Sequence, residues 1–481
     1  MKAEDPENIK KTAQSLYQAL QSIQPAKGQD TMSAYLALLQ QYLKPILQSA
    51  EASLSTSGKT AATDNPPATI QTLDIDGVSV IDVTVNNVTM AFPVGHVLPQ
   101  GQPGSISNYT PSEAFGYAMR NAVDYNDKDF FQQLLNGFLY LANQTEEYRQ
   151  DPQGFGLIGW SPDVGDLPGQ GPYSGLPSNF VSSASDADED IIGAMIEAFN
   201  KWGPMTAEDP TATGAPNTYQ SISLQDLITT TINSFINCDI GSVSLNGKTY
   251  DPVMTLDNWG HDAMNPDYFD PTEFAEMIAW EKKYDPTNGA ANVQTLQKAA
   301  QNTMSYILDI QNSNGGWIPD TPWSMSGPSS FGYDATRTLM RFGEYLLVCQ
   351  KTGDDPLGIE SQVEQSLNTL VSNIFSNNGS YLNWDNGTVT FTPTGLGYGQ
   401  FTGPLLVALA GLQAVGDLPS DVTTDDISKV ATCLEHDLSQ YSTGSMEDWQ
   451  NSYFAIQLAL LSEGILDHLD PSVLPPGLQP S

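Results

Sequence analysis

The chain of 481 residues sets 18 Lys and Arg against 56 Asp and Glu, a formal charge of −38, and is 40% hydrophobic. Such a surface repels phosphate backbones and argues against a nucleic-acid partner, and no apolar run approaches the eighteen residues of a membrane span. Charged residues are only 15% of the chain, so the acidity reflects scarce Lys and Arg, which suits a secreted protein in acidic surroundings; a halophilic surface is the competing reading.

Taken in order, helical spacing predicts helices over 7–23 and 31–52, broken by Pro25-Ala-Lys-Gly-Gln29. Met1 is followed at once by Lys-Ala-Glu-Asp-Pro-Glu, so an exported chain would have lost its leader before this numbering. A linker rich in Ser, Thr, Gly and Pro runs over 53–69. Alternation through Val78, Val80, Val83 and Val85, with Asp76-Gly77 and Asn86-Asn87, then predicts strands and a hairpin over 70–92. Residues 1–104 are therefore expected to be an accessory region, 105–470 the main domain and 471–481 a tail.

From residue 110 the grammar is helical. Helices are predicted over 113–125, 129–147, 188–202, 223–236, 272–283, 293–313, 333–351, 360–374, 401–415, 424–441 and 446–466, which implies paired helices in an all-α domain. The loops over 150–185 and 237–271 are too long to be mere connections and are expected to line a cleft. Asn246-Gly247 between β-prone runs predicts a hairpin over 243–250.

The stretch Ala184–Trp202 packs Asp186, Asp188, Glu189 and Asp190 ahead of Ile191, Ala194, Met195, Ala198 and Trp202 at helical spacing. One reading has Ser185 capping the helix and the acids facing its positive end, worth about 0.3–1 kcal/mol each. The other is a functional carboxylate cluster at the mouth of a buried helix. Ala184-Ser-Asp-Ala-Asp188, opening a helix that ends in an aromatic, resembles the signature of glycoside hydrolase family 8, with Ile192 where that family usually has Ala. Four further segments resemble the same family in the same order. They are Pro111-Ser-Glu-Ala-Phe-Gly-Tyr-Ala-Met119, with Ala114 and Ala118 in place of glycines; Gly156-Leu-Ile-Gly-Trp160; Asn265-Pro-Asp-Tyr-Phe269 with Pro271, where the family has Asn-Pro-Ser-Tyr-Phe-x-Pro; and Phe331-Gly-Tyr-Asp-Ala-Thr-Arg337 with Arg341.

The resemblance implies a mainly α fold, an (α/α)6 barrel of twelve helices, here with a small N-terminal helix-plus-β-hairpin extension. It places Glu113 as general acid, Asp334 as general base and Asp186 on the sugar at the cleavage point. Among Ala114, Phe115 and Tyr117, desolvation would raise the Glu113 pKa, as an acid requires. Arg337 and Arg341, one and two turns beyond Asp334, would keep that residue ionised. Some family members take their base from a Glu in an inserted loop, but 312–330 contains none. An inverting pair would stand about 6.5–9.5 Å apart.

Asp188 reads as a structural cap. Tyr268, Tyr333 and Arg337 are expected beside the sugar. Trp160, Trp259, Trp317 and Trp323 fall in loops, where each is either a stacking platform or a buried anchor. His96, His261, His436 and His468 are scattered and Cys238, Cys349 and Cys433 widely spaced, so no metal, cofactor or catalytic triad is expected. The implied substrate is a β-1,4-glucan such as cellulose, cleaved internally by a secreted monomer. Xylan, mixed-linkage glucan and chitosan are alternatives. A barrel that binds carbohydrate without turnover, or a polysaccharide lyase, is the competing class.

Overall fold

The computed structural model describes residues 69–75, 78–93, 111–149, 154–160, 182–212, 214, 218–257, 263–376, 381–385, 388–397 and 399–440. Ten helices lie among them: α1 (Ser112–Asp124), α2 (Lys128–Arg149), α3 (Ser185–Trp202), α4 (Leu224–Cys238), α5 (Pro271–Tyr284), α6 (Gly289–Ser313), α7 (Thr336–Thr352), α8 (Glu360–Phe375), α9 (Gly399–Val415) and α10 (Thr424–Gln440). Each odd-numbered helix packs against the next odd one and against the even one that follows it. The result is two concentric layers, five helix pairs of the (α/α)6 barrel among the described residues.

Residue pattern decides which layer a helix joins. On α8 the buried positions are Val363, Ser366, Leu367, Leu370, Val371 and Ile374, a single stripe at helical spacing that covers the layer within. Helix α1 instead buries ten of its thirteen residues, and α9 is buried at every position from Phe401 through Leu412, so both are surrounded. Helices α7 and α9 approach closely because Gly343 faces Gly411. A Cβ on Gly411 would lie 2.6 Å from the Gly343 carbonyl oxygen.

Strands β1 (Thr69–Ile75), β2 (Val78–Val85) and β3 (Val88–Pro93) form an antiparallel meander. Asn86 and Asn87, with φ of 52° and 66°, make the tight turn between β2 and β3, as an Asn pair readily does. The meander lies on the barrel: Asn136 of α2 donates to the Thr89 carbonyl at 3.0 Å, and Phe92 packs edge-on to Phe115 and Tyr140. Short hairpins decorate the connections: β4 (Thr206–Glu208) with β5 (Ser221–Ser223), β6 (Ile240–Leu245) with β7 (Lys248–Met254), and β8 (Leu382–Asp385) with β9 (Thr388–Phe391) and β10 (Leu396–Gly397). The predicted turn at Asn246-Gly247 joins β6 to β7, both residues at positive φ.

Three predicted helix starts move. Helix α6 begins at Gly289 rather than 293. Helix α3 begins at Ser185 rather than 188, and Ser185 is not its cap, because its hydroxyl donates to the Thr255 carbonyl at 2.5 Å. The four acids therefore sit inside the helix rather than before it. Helix α7 begins at Thr336, leaving Tyr333 and Asp334 in the preceding turn. The predicted helices over 7–23, 31–52 and 446–466, nearly all of the linker and the tail lie outside the described residues.

Candidate active site

Arginines one turn apart on α7 send two guanidiniums to successive levels of the barrel interior. At the upper level Arg337 Nη1 meets Glu113 of α1 and Asp186 Oδ2 of α3, the latter at 2.6 Å. Its Nη2 meets Asp267 Oδ2, in the turn before α5, at 2.7 Å, and Asp334 Oδ1 at 3.3 Å. The Tyr268 ring lies against the guanidinium, 5.4 Å from Cζ to the ring centroid. One level down, Arg341 Nη2 meets both oxygens of Asp190 at 2.9 Å, and its Nη1 meets Glu189 at 3.2 Å and the Asp267 carbonyl at 3.1 Å. A third level is built on Arg120 of α1, which meets Glu273 at 2.9 Å, Glu344 at 2.8 Å and Glu197 at 3.1 Å.

On α1, α3, α5 and α7 residue numbers rise together from the upper level to the lower, so the inner helices run parallel with their N-termini at one end. The upper carboxylates gather there because helix N-termini carry partial positive charge. Burial splits this set by role. Asp186 and Asp267 are fully buried, whereas the Glu113 and Asp334 side chains are 32% and 44% exposed. Glu113 and Asp334 are the members that a polymer could reach.

Four carboxyls around one guanidinium cannot all ionise cheaply. Burial alone would raise Glu113, but the charge of Arg337, hydrogen bonds from Asp186 and Arg337, and the charge of Arg341 together bring it below its ordinary value. This corrects the expectation of a high Glu113 pKa. Asp186 goes the other way, pushed well up by burial and by the Glu113 charge. The two carboxyls face each other across the guanidinium, and the opposite directions of their shifts favour a proton on buried Asp186 over one on Glu113.

Asp334 is raised by burial, which outweighs Arg337, with Glu113 adding to the rise. It was expected simply to be held ionised; the geometry makes it a stronger base than a free aspartate. Asp267 is pushed up to about 7, by burial first, against the pull of Arg337.

The turn carrying Asp334 is held from below. Asp320 Oδ1 accepts from the Gly332 N–H at 3.0 Å and the Ala335 N–H at 2.9 Å, on either side of Tyr333 and Asp334. A Cβ on Gly332 would lie 1.9 Å from Asp320 Oδ2, so any larger residue would have to displace that carboxylate. Asp190, Asp270 and Glu273 bring carboxylate oxygens within 4.8 Å of one another, a spacing that a cation could use. Asp190 and Asp270 already face Arg341, however, and Glu273 faces Arg120, so this cluster is charge-paired by the protein itself.

The remaining predicted residues divide. Trp160 is half exposed, and its carbonyl accepts at 3.0 Å from the N–H of Ser112, the residue before Glu113. Trp323 is exposed and Tyr333 half-buried next to Asp334. Trp317 is buried among Phe331, Tyr381 and Phe391, which is the anchor alternative and leaves no ring face for a sugar. Trp259 lies outside the described residues. Asp188 is buried at the start of α3, whose N-cap, Ala184, makes no side-chain bond.

Sequence reasoning assigned no role to Asp267 or to the acids around Arg120. Asp267 was visible inside a quoted motif as a carboxylate beside Tyr268. The Arg120 level left no local signal, because its partners come from three other helices.

No family model matches the chain. A search of curated proteins finds Endoglucanase 2 of Ruminiclostridium josui, 29% identical over 246 residues that make up 49% of this chain and 43% of that protein. Endoglucanase C of Ruminiclostridium cellulolyticum is 27% identical over 245 residues, again 49% and 43%. The matched stretch thus spans less than half the length of these relatives. Among solved structures, Rex8A from Paenibacillus barcinonensis complexed with xylose aligns at a TM-score of 0.49 and 15% identity, covering 89% of this chain and 94% of that one. The chain thus carries in order the segments that resemble glycoside hydrolase family 8, gathers their charged residues around Arg337, and is similar over about half its length to curated endoglucanases.

Proposed function

We propose that the chain is an endo-acting, inverting glycoside hydrolase that cleaves β-1,4-glucan, cellulose or its soluble derivatives. The observation that carries the reading is the shared hold of Glu113, Asp186 and Asp334 on Arg337, with only Glu113 and Asp334 open to a substrate. Glu113 protonates the leaving glycosidic oxygen, drawing on the proton that buried Asp186 holds. Asp334 takes a proton from a water that attacks the anomeric carbon from the opposite face. The old C–O bond breaks as the new one forms, which inverts the anomeric configuration.

Asp186 acts on the cleavage point through Glu113 from its buried place, half-buried Tyr268 lies beside the sugar there, and Trp160 and Trp323 offer indole faces to neighbouring pyranose rings. A polymer of this size is met outside the cell, so the protein acts there, as a monomer, and the scarcity of Lys and Arg suits acidic surroundings. The curated relatives are named endoglucanases, which favours glucan over xylan. Assay of carboxymethylcellulose, xylan, mixed-linkage glucan and chitosan side by side tests the substrate. Release of reducing sugar from carboxymethylcellulose is expected; hydrolysis of xylan alone would replace glucan as the substrate.

A further inference from the structure

A guanidinium has a flat edge of donors and two open faces, and a catalytic arginine is useful only if both are fixed. Around Arg337 the edge is crowded. Nη1 is taken by Glu113 and Asp186 and Nη2 by Asp267 and Asp334, while Nε lies 3.4 Å from the Asp334 carbonyl. On Nη2 the nearer hold belongs to Asp267, at 2.7 Å against 3.3 Å for Asp334. Asp267 is fully buried, so it cannot touch a polymer. Its own backbone is pinned: Arg341 donates to the carbonyls of Asp267 and Tyr268, and the Tyr268 N–H donates to Asn265 at 3.1 Å. The neighbouring Tyr268 ring covers one face of the same guanidinium.

We propose that Asp267 is a positioning residue: with Tyr268 it grips Arg337 by edge and face from inside the barrel, so that Nη1 stays on the Glu113–Asp186 pair and Asp334 is only loosely held. A base tied tightly to an arginine loses proton affinity, so a buried acid that occupies the nearer place on Nη2 preserves the basicity of Asp334. The charged and titrating groups that face Asp267 are Arg337, Asp334 and Asp320 from the α7 side and Arg341 from below, with Glu113 on α1 and Asp186 on α3 across the guanidinium. With a pKa of about 7, Asp267 is neutral in acid and ionised above neutrality. Its negative charge in alkali helps the Glu113–Asp186 pair to keep its proton.

The inference rests on the proposed roles of Glu113 and Asp334, and its test has an arm that does not depend on turnover. Asp267→Ala removes the hold on Nη2; Asp267→Asn keeps an oxygen there and matches the neutral acid. On carboxymethylcellulose at pH 5, the Ala variant should lose about tenfold in kcat with KM nearly unchanged, and Asn should restore most of that loss. The alkaline limb of kcat/KM should fall at lower pH in the Asn variant than in the parent. Equal losses in both variants, or an unmoved alkaline limb, would overturn the proposal.

The second arm is nitrogen NMR of the arginine side chains. Arg337 should show separate Nη1 and Nη2 signals in the parent that merge in Asp267→Ala, or in Asp267→Ser if the Ala variant fails to fold. Separate signals in every folded variant would refute the grip. An inactive parent with the expected NMR change would refute the hydrolase reading and leave the grip standing.

Discussion

Replacing Arg341 by Met isolates the level directly beneath the site. The side chain is 1% exposed and meets Glu189, Asp190, Asp270 and the carbonyls of Asp267 and Tyr268. Methionine matches much of its length but supplies neither charge nor donors. Asp190 and Asp270 are pushed up to about 6, burial being the larger cause and Arg341 the main restraint. At pH 4.5 both are already neutral, so the substitution costs only the hydrogen bonds to carbonyls, about 1–2 kcal/mol. At pH 7.5 the variant must keep its buried carboxyls protonated, at about 1.4 kcal/mol for each pH unit above their ordinary values.

The loss there approaches the ~3–5 kcal/mol of a broken buried ion pair. For a domain of this size that is about 4–6 °C in Tm. Thermal unfolding of parent and Arg341→Met at the two pH values measures it, expecting a deficit at pH 7.5 at least twice that at pH 4.5. An equal deficit at both would refute the argument that Arg341 stabilises chiefly by charge.

Three other outcomes follow from the geometry. The parent itself should lose stability as pH rises from about 4 to 7: the folded values of Asp190 and Asp270 (about 6) and Asp267 (about 7) exceed the unfolded value near 3.9, so the fold binds the extra protons, an advantage fully present below the unfolded value and lost as pH passes through the folded ones. A melting profile flat in pH but rising steeply with salt would favour the halophilic reading. Gly332→Ala should displace Asp320 and with it the turn that carries Asp334, lowering kcat by about tenfold or more while far-ultraviolet circular dichroism is unchanged; parent-like kcat would show that the turn needs no such support. Trp160→Ala should raise KM for the polymer severalfold with a small effect on kcat, as loss of a stacking face does, and an unchanged KM would remove Trp160 from the binding surface.

Helices were legible because a 3.6-residue apolar repeat survives over ten or more residues. The start of α3 was misread for a physical reason: Ser185 looks like a cap, but its hydroxyl bonds to Thr255 seventy residues away. Strands β4 and β5 have three residues each, too few to display alternation. The hairpin of β8 and β9 had a readable signal in Asn386-Gly387 that was passed over. At the site, the motifs located Glu113, Asp186, Asp334 and Arg337, and the barrel brings all four together. Their proton affinities were not legible. The apolar neighbours of Glu113 pointed upward, while the decisive partner, Arg337, stands 224 residues along the chain.

The central claim is that Glu113 gives its proton to the leaving sugar while water enters from the other face. Proton NMR of the first anomer released from carboxymethylcellulose, by the parent beside Glu113→Gln, tests it most directly. The account predicts an α-anomer from the parent and loss of product in the variant, in proportion to the removed proton. A β-anomer from the parent, or undiminished release by Glu113→Gln, would contradict it.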